Sequence, residues 1–335
     1  MDVTSVVSIR FLASRIINQL GCWWSYALSV FGIVRVKHLP TFVSIEPANY
    51  CQLRCPECPV GQGAHARHKA QNMSWATYER ILSQVQTTAH TIQFYFQGEP
   101  LLNPLLPKMI ARAREVGLFT LLSTNGQALS RQMAYELVKA GLNRIIVSID
   151  GFSQESYAAY RVGGSLHRAL EGLQFLKAAK EQCHSSICIE LQVLRLRSNE
   201  HEWQWIARNY RSLGATRLVF KTAQLYDYQN GHPLMPSELR YSRYRKQADG
   251  TYYLYRSWLR RHWLHTPCYR LWSGCVVTTT GEVLPCCYDK EGRYALGNLL
   301  EQSIASIWLG GKVDAFRERV LHHQKELSIC QECNF

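Results

Sequence analysis

The chain has 335 residues, 47% of them apolar and only 19% charged, which allows a sizeable core and excludes a disordered, solvating polymer. Its 21 glycines and 11 prolines are ordinary numbers, so collagen-like and low-complexity chains are excluded too. A formal charge of +13 favours an acidic partner: nucleic acid, a membrane surface, an acidic peptide or an anionic small molecule.

Residues 1–40 read as an N-terminal helical extension. No charge falls between Arg15 and Arg35. That run approaches the roughly 20 apolar residues that span a bilayer, but Asn18, Gln19, Gly21, Ser25, Ser29 and Gly32 dilute it. The expectation is a helix broken near Gly21 and packed on the main domain. A helix lying on a membrane surface is the alternative. No cleavable signal peptide is visible, which points to a cytoplasmic chain, peripheral to the membrane if residues 1–40 bind one.

From Thr41 to about Leu225, apolar β-rich runs alternate with helical stretches. The predicted strands are Thr41–Ile45, Ile92–Phe96, Phe119–Ser123, Arg144–Ile149, Ile187–Leu194 and Arg217–Thr222. The predicted helices are Ser74–Gln86, Pro104–Glu115, Gln132–Ala140, Ser165–Glu181 and Glu200–Leu213. Gly117, Gly141 and Gly214 sit where C-cap glycines belong. Short strands buried on both faces and separated by helices imply a parallel sheet. Six units suggest a partial (β/α)6 TIM-like barrel, with a doubly wound sheet as the rival. In such barrels the chemistry gathers at the carboxyl ends of the strands. There the sequence places Glu46 and Asn49, Gln97-Gly98-Glu99-Pro100, Ser123-Thr124-Asn125-Gly126, Ser148-Ile149-Asp150-Gly151, Gln192, and Lys221-Thr222.

Twelve cysteines are present, and most are clustered. Clusters in a large intracellular chain read as metal ligands rather than disulfides. Cys51, Cys55 and Cys58 have the spacing C-x3-C-x2-C. Three thiols in one loop suit an iron–sulfur cube that keeps one iron open; a zinc site completed by His65 or His68 is the alternative. The second set is Cys268, Cys275, Cys286, Cys287, Cys330 and Cys333, and four cysteines there suit a closed zinc site as well. Between Cys275 and Cys286, the run 276–285 reads as a hairpin turning at Thr280-Gly281. Ser303–Trp308 and Val313–Val320 read as helices. Cys275 reads as a buried free thiol, and Cys287 as pointing away from Cys286 if that segment is extended.

These motifs, in order, resemble the radical S-adenosylmethionine (SAM) enzymes. The resemblance covers about Pro40 to Leu225. It rests on the cysteine loop, on Gly98-Glu99-Pro100 (a GGEP element with Gln97 replacing its first glycine), and on the elements at Ser123 and Ser148. It implies that Cys51, Cys55 and Cys58 hold a [4Fe–4S] cluster whose open iron binds SAM. One electron then cleaves the sulfonium, and the resulting radical abstracts a substrate hydrogen. It also implies that Gly98 and Glu99 meet the methionyl amino group, that Ser148 contacts the methionyl or ribose part, and that Ser123, Asn125 and Asp150 belong to the SAM site. Arg161 pairs with the SAM carboxylate or is a surface loop arginine. Glu57 departs from the family, which usually has an aromatic residue there. The C-terminal set resembles a SPASM domain in its shortened twitch form, with one auxiliary [4Fe–4S] cluster on Cys268, Cys286, Cys330 and Cys333.

The sequence thus divides into an extension (1–40), a barrel core (41–228), a basic and aromatic linker (229–264) and a small hairpin and helical auxiliary-cluster domain (265–335). Tyrosines and arginines interleave from Arg240 to Arg261; a solvated linker with aromatics packed inward is favoured over a nucleic-acid surface. The expected substrate is a peptide or protein, or a small molecule oxidised with help from the auxiliary cluster. The expected reductant is a flavodoxin or ferredoxin. The competing class is a zinc-binding, non-enzymatic nucleic-acid-binding protein. No catalytic base stands out; Lys221, Tyr226 and Asp227 are merely near the mouth.

Overall fold

The computed structural model describes residues 3–63, 69–255, 267–331 and 333, with side chains from residue 11 onward. His65, His68, Arg256, Trp258, Arg260 and Arg261 lie outside the described residues.

Six strands form the expected parallel sheet: β1 (Phe42–Ile45), β2 (Thr91–Phe94), β3 (Phe119–Thr124), β4 (Arg144–Ser148), β5 (Cys188–Arg195) and β6 (Arg217–Thr222). They pair in sequence order, each parallel to the next. The helices preceding or following them are α1 (Val3–Val30), α2 (Trp75–Val85), α3 (Leu106–Glu115), α4 (Arg131–Lys139), α5 (Gln154–Ala158), α6 (Leu166–Gln182) and α7 (Trp203–Asn209). Ser74, Ser130 and Ser165 cap α2, α4 and α6 by accepting from a backbone N–H three residues on. Val43, Ile45, Ile92, Phe94, Leu122, Ile145 and Val147 are fully or almost fully buried in one core with the helices' apolar faces. The predicted α7 is shortened because its first turn is the 3₁₀ segment Arg197–Glu202. The short α5 was not expected. Its signal is the Ser153 cap, which accepts from the Ser156 N–H.

After β6 the chain makes a two-stranded hairpin, β7 (Tyr244–Lys246) with β8 (Tyr252–Leu254). Tyr244 is buried there, stacked on Tyr228 with ring centroids 4.1 Å apart, and its hydroxyl donates to the Leu225 carbonyl. Tyr244 therefore packs inward as expected, whereas Tyr255 is exposed. Strands β9 (Gly274–Val277) and β10 (Glu282–Leu284) form the hairpin expected around Gly281, which has a φ of +85°. They do not stand apart from the barrel. β9 lies parallel to β1, Cys275 opposite Val43, so the C-terminal region extends the sheet beyond its first strand. β11 (Gly297–Asn298) closes that edge. The helices Ile304–Trp308 and Gly311–His322 follow as expected.

The helix α1 runs unbroken through Gly21. A Cβ there would sit 3.1 Å from the His38 Cβ, so the glycine lets residues near His38 approach the helix rather than breaking it. Arg15 anchors α1 at the strands' amino ends, donating to the carbonyls of Gln86, Val116 and Gly117. These close α2 and α3, where a cation meets the negative ends of two helices. Among the described residues no helix is long and apolar enough to cross a membrane.

Candidate functional site

The cysteine loop leaves the carboxyl end of β1. Leu53 N and Asn125 Nδ2 each lie 3.4 Å from Cys51 Sγ as donors, and Arg161 Nη1 lies 3.9 Å from Cys55 Sγ. Cys55 is buried, and Cys58 N donates to the Cys55 carbonyl at 3.2 Å. Burial pushes the Cys51 thiol up to about 11, and it raises Cys55 as well. Both shifts favour the protonated thiols of Cys51 and Cys55; binding iron would release those protons.

Around the loop, two buried carboxylates tie strand ends in pairs, the second to the third and the fourth to the fifth. Glu99 accepts from Thr124 Oγ1 at 2.7 Å, from Asn125 N at 2.8 Å and from Leu101 N at 3.1 Å. Its side chain therefore braces the third strand's turn, which in turn presents Asn125 to Cys51. Gly98 has a φ of +63°, and a Cβ there would overlap the Ala48 carbonyl oxygen. The backbone at that point passes against residues 48–50, just ahead of the cysteine loop, and Glu99 N donates to the Tyr50 carbonyl at 2.8 Å. Asp150 is fully buried; it accepts from Arg161 Nε at 2.7 Å and from Leu194 N at 2.6 Å. Arg161 is thus not a surface arginine: it is held inside, against Cys55. Ser123 and Ser148 occupy the carboxyl ends of β3 and β4, opposite Ile146 and Gln192 in register.

Both departures from the family pattern have partners. Glu57 accepts from Tyr226 N at 2.6 Å and faces His232 Nε2 at 3.2 Å, fastening the cysteine loop to the segment after β6. Gln97 donates to the Lys290 carbonyl at 2.6 Å, fastening the second strand's end to the C-terminal region. Lys290 in turn donates to the Tyr226 hydroxyl at 3.0 Å. A cavity of ≈ 330 Å³ opens here, lined by Glu57, Cys58, Tyr226, Tyr288, Lys290 and Arg293 among others.

Four cations that sequence reasoning missed or left without a role stand nearby. Lys221 lies within electrostatic range of Glu190, Arg270, Arg144 and Arg243. Glu190 is buried and paired with Arg144 and Arg217. Arg243 Nη1 lies 3.3 Å from the Tyr288 hydroxyl. The sequence placed Lys221 at a strand end and Arg243 in a basic stretch, but nothing in it says that these cations converge.

The C-terminal thiols gather at the sheet's other edge. Cys268 interacts electrostatically with Cys333 and Cys286. Cys268 and Cys330 pack on one apolar cluster with Leu271, Trp272 and Leu327, and Cys333 N donates to the Cys330 carbonyl. Cys275 is buried in the main core, as expected of a free thiol. Cys287 does not point away from Cys286. The chain turns there, with Asp289 N donating to the Cys286 carbonyl, and the two thiols interact directly. That contact, with Arg270 and Lys290 nearby, lowers the Cys287 thiol against the effect of burial and raises Cys286. Among the described residues no three His, Cys, Asp or Glu are gathered to hold a single metal ion.

Two family profiles match the chain: the radical SAM superfamily over residues 45–189 and the SPASM iron–sulfur cluster-binding domain over residues 268–334. The chain belongs to the radical SAM enzymes that carry a SPASM-type iron–sulfur domain. Among relatives, it is 25% identical over 292 residues to the PqqA peptide cyclase of Streptomyces rochei, covering 82% of this chain and 76% of that one. Among solved structures, BtrN in complex with AdoMet and 2-DOIA superposes with a TM-score of 0.55 at 20% identity, covering 90% and 95% of the two chains. Streptococcus suis SuiB bound to S-adenosylmethionine gives 0.64 at 12% identity, covering 88% and 72%. The family's cofactors are SAM, a SAM-binding [4Fe–4S] cluster and auxiliary iron–sulfur. The donor chemistry fits: each set is sulfur-rich, and polar N–H groups point at Cys51 and Cys55.

Proposed function

We propose that this enzyme acts on a peptide, within the domain division 1–40, 41–228, 229–264 and 265–335. Cys51, Cys55 and Cys58 would hold the SAM-binding cluster; Cys268, Cys286, Cys330 and Cys333 would hold one auxiliary cluster. When bound, the first supplies reductive cleavage of SAM and abstraction of a substrate hydrogen. The chain's own residues position the parts. With the Glu99 carboxylate committed to Thr124, Asn125 and Leu101, the backbone near Gly98 would be what meets the SAM amino group. Ser123, Asn125 and Ser148 would line the rest of that site, with the buried Asp150 holding Arg161 beside Cys55. The carrying observation is the loop itself: three thiols after β1, two of them met by donors from the third strand's turn and from Arg161.

The peptide reading draws on the peptide cyclase relatives and on the cations around Lys221, which suit a carboxylate-bearing substrate. A flavodoxin or ferredoxin would supply the electron, and residues 1–40 would hold the protein peripherally at a membrane. The test is anaerobic reconstitution. Iron and sulfide should load, and dithionite should drive SAM cleavage. Replacing Cys51, Cys55 and Cys58 with Ala should abolish cleavage while leaving C-terminal iron; retained cleavage would overturn the assignment. Mass spectrometry of acidic and neutral peptides incubated with the enzyme then decides the substrate class.

A further inference from the structure

The helix α1 is inside out. Its buried stripe is polar or small: Arg15, Cys22, Ser25 and Ser29, with Asn18 partly buried beside them. These positions recur every three or four residues, the spacing of one helix face. Ser29 donates to the Tyr26 carbonyl within the helix, and the other four have partners on the body. Asn18 donates to the Leu39 and Thr88 carbonyls, Ser25 meets His38 Nδ1, and Cys22 lies 3.6 Å from the Trp272 carbonyl. The opposite face is apolar and open to solvent: Leu12, Ile16, Ile17, Leu20, Trp23 and Trp24, continued by Phe31 at 80% exposure. Apart from Tyr26, which packs edge-on against Tyr269 and Trp272, the helix's large apolar residues on this open face are left unused by packing on the body. A contiguous apolar face of this kind marks an interaction surface.

We infer that this face lies flat in the interface of an anionic lipid bilayer. Three observations select that occupant. From residue 3 to residue 45 the chain carries Arg10, Arg15, Arg35 and Lys37 and no acid; Arg35 and Lys37 are exposed just past the helix. A second copy docked on the same face would bring the exposed Arg35 and Lys37 of both copies together, whereas anionic headgroups neutralise them. Tryptophans 23 and 24 sit side by side on the open face, and tryptophan favours the boundary between headgroups and acyl chains.

The fold also sets the orientation. Arg15 and Asn18 bond the body where α2 and α3 end and where β1 and β2 begin. The cysteine loop leaves the other end of β1. With α1 on lipid, the cysteine loop faces water, open to peptide and reductant. This deepens the peripheral association proposed above and is independent of the catalytic reading.

The test uses the full chain and large vesicles of phosphatidylcholine, alone or with phosphatidylglycerol. The anionic vesicles should sediment the protein, and high salt should weaken the binding. Brominated acyl chains should quench a fluorescence component that is missing from Trp23→Ser/Trp24→Ser. A variant with Leu20, Trp23, Trp24 and Phe31 changed to Ser should keep its circular dichroism and bind roughly tenfold or more weakly. Equal binding by that variant would overturn this face while leaving peripheral association standing. No binding by the intact chain would overturn both. A dimer that forms without lipid and is lost in the variant would assign the face to a second copy instead.

Discussion

Arg161 and Asp150 form an ion pair inside the protein, Nε to Oδ2 at 2.7 Å, with Asp150 fully buried and the guanidinium reaching toward Cys55. Asp150 also accepts from Leu194 N, and Asn199 donates to its carbonyl. The pair therefore joins the turn after β4, the end of β5 and the cysteine loop. Breaking such a pair from one side leaves a buried charge uncompensated, which costs about 3–5 kcal/mol. Asp150→Ala should lower stability in urea by that order. Asp150→Ala with Arg161→Met should recover part of the loss, because the orphaned cation is gone. A double variant no more stable than the single one would show that the ion pair is not the source of the loss.

Glu99→Gln keeps the side chain's size and replaces one acceptor oxygen with a donor. All three partners of Glu99 donate to it, so one N–H or O–H must lose its acceptor in the core. The expected loss is about 1–3 kcal/mol. Because Asn125 carries the effect toward Cys51, SAM affinity should fall as well. Thermal melting and SAM titration of the reconstituted enzyme check both.

The strands and the cysteine loop were legible in the sequence because their signals are local: apolar runs, cap residues and fixed spacings. The join between β9 and β1 was not, since Cys275 and Val43 are distant in sequence and parallel pairing leaves no turn to mark it. The pairing of Arg161 with Asp150 was hidden for a different reason. Asp150 could be placed at a strand end and Arg161 in a loop, but which polar groups satisfy each other there depends on the folded turn. Cys287 was misread because alternation holds only for extended backbone, and that segment turns. The inverted α1 was readable in part. Arg15, Asn18, Cys22, Ser25 and Ser29 share one stripe in the sequence, yet only the structure says which stripe faces inward.

Glu46 makes stability depend on pH. Burial raises its carboxyl from the ordinary 4.5 to about 7, against a hydrogen bond from Thr279 N. Between those two values the folded state keeps a proton that the unfolded chain has released. Its contribution therefore falls as pH rises from about 4.5 to about 7 and is level beyond, a change on the order of 3 kcal/mol. Glu46→Gln can still accept from Thr279 and cannot ionise. It should be more stable than the parent at pH 8 and nearly equal at pH 4.5, by urea unfolding at each pH. A difference between the two proteins that does not change with pH would refute the account.

Glu57 holds the segment after β6 against the cysteine loop, through Tyr226 N and His232. It is the side chain that occupies the position where the family usually has an aromatic residue, so its work here is mechanical. Glu57→Ala removes a charge-assisted hydrogen bond, worth about 2 kcal/mol. If opening of residues 226–232 is local, the Tyr226 amide should exchange with deuterium about thirtyfold faster, with amides in β1 and β4 unchanged. Cleavage of SAM without substrate should persist, since Cys51, Cys55 and Cys58 keep their own contacts. The peptide KM should rise, because Tyr226 and Lys290 share the wall of the adjoining cavity. Unchanged exchange at Tyr226 would show that the segment is held by other contacts, such as Leu225 N donating to the Tyr244 hydroxyl at 2.8 Å.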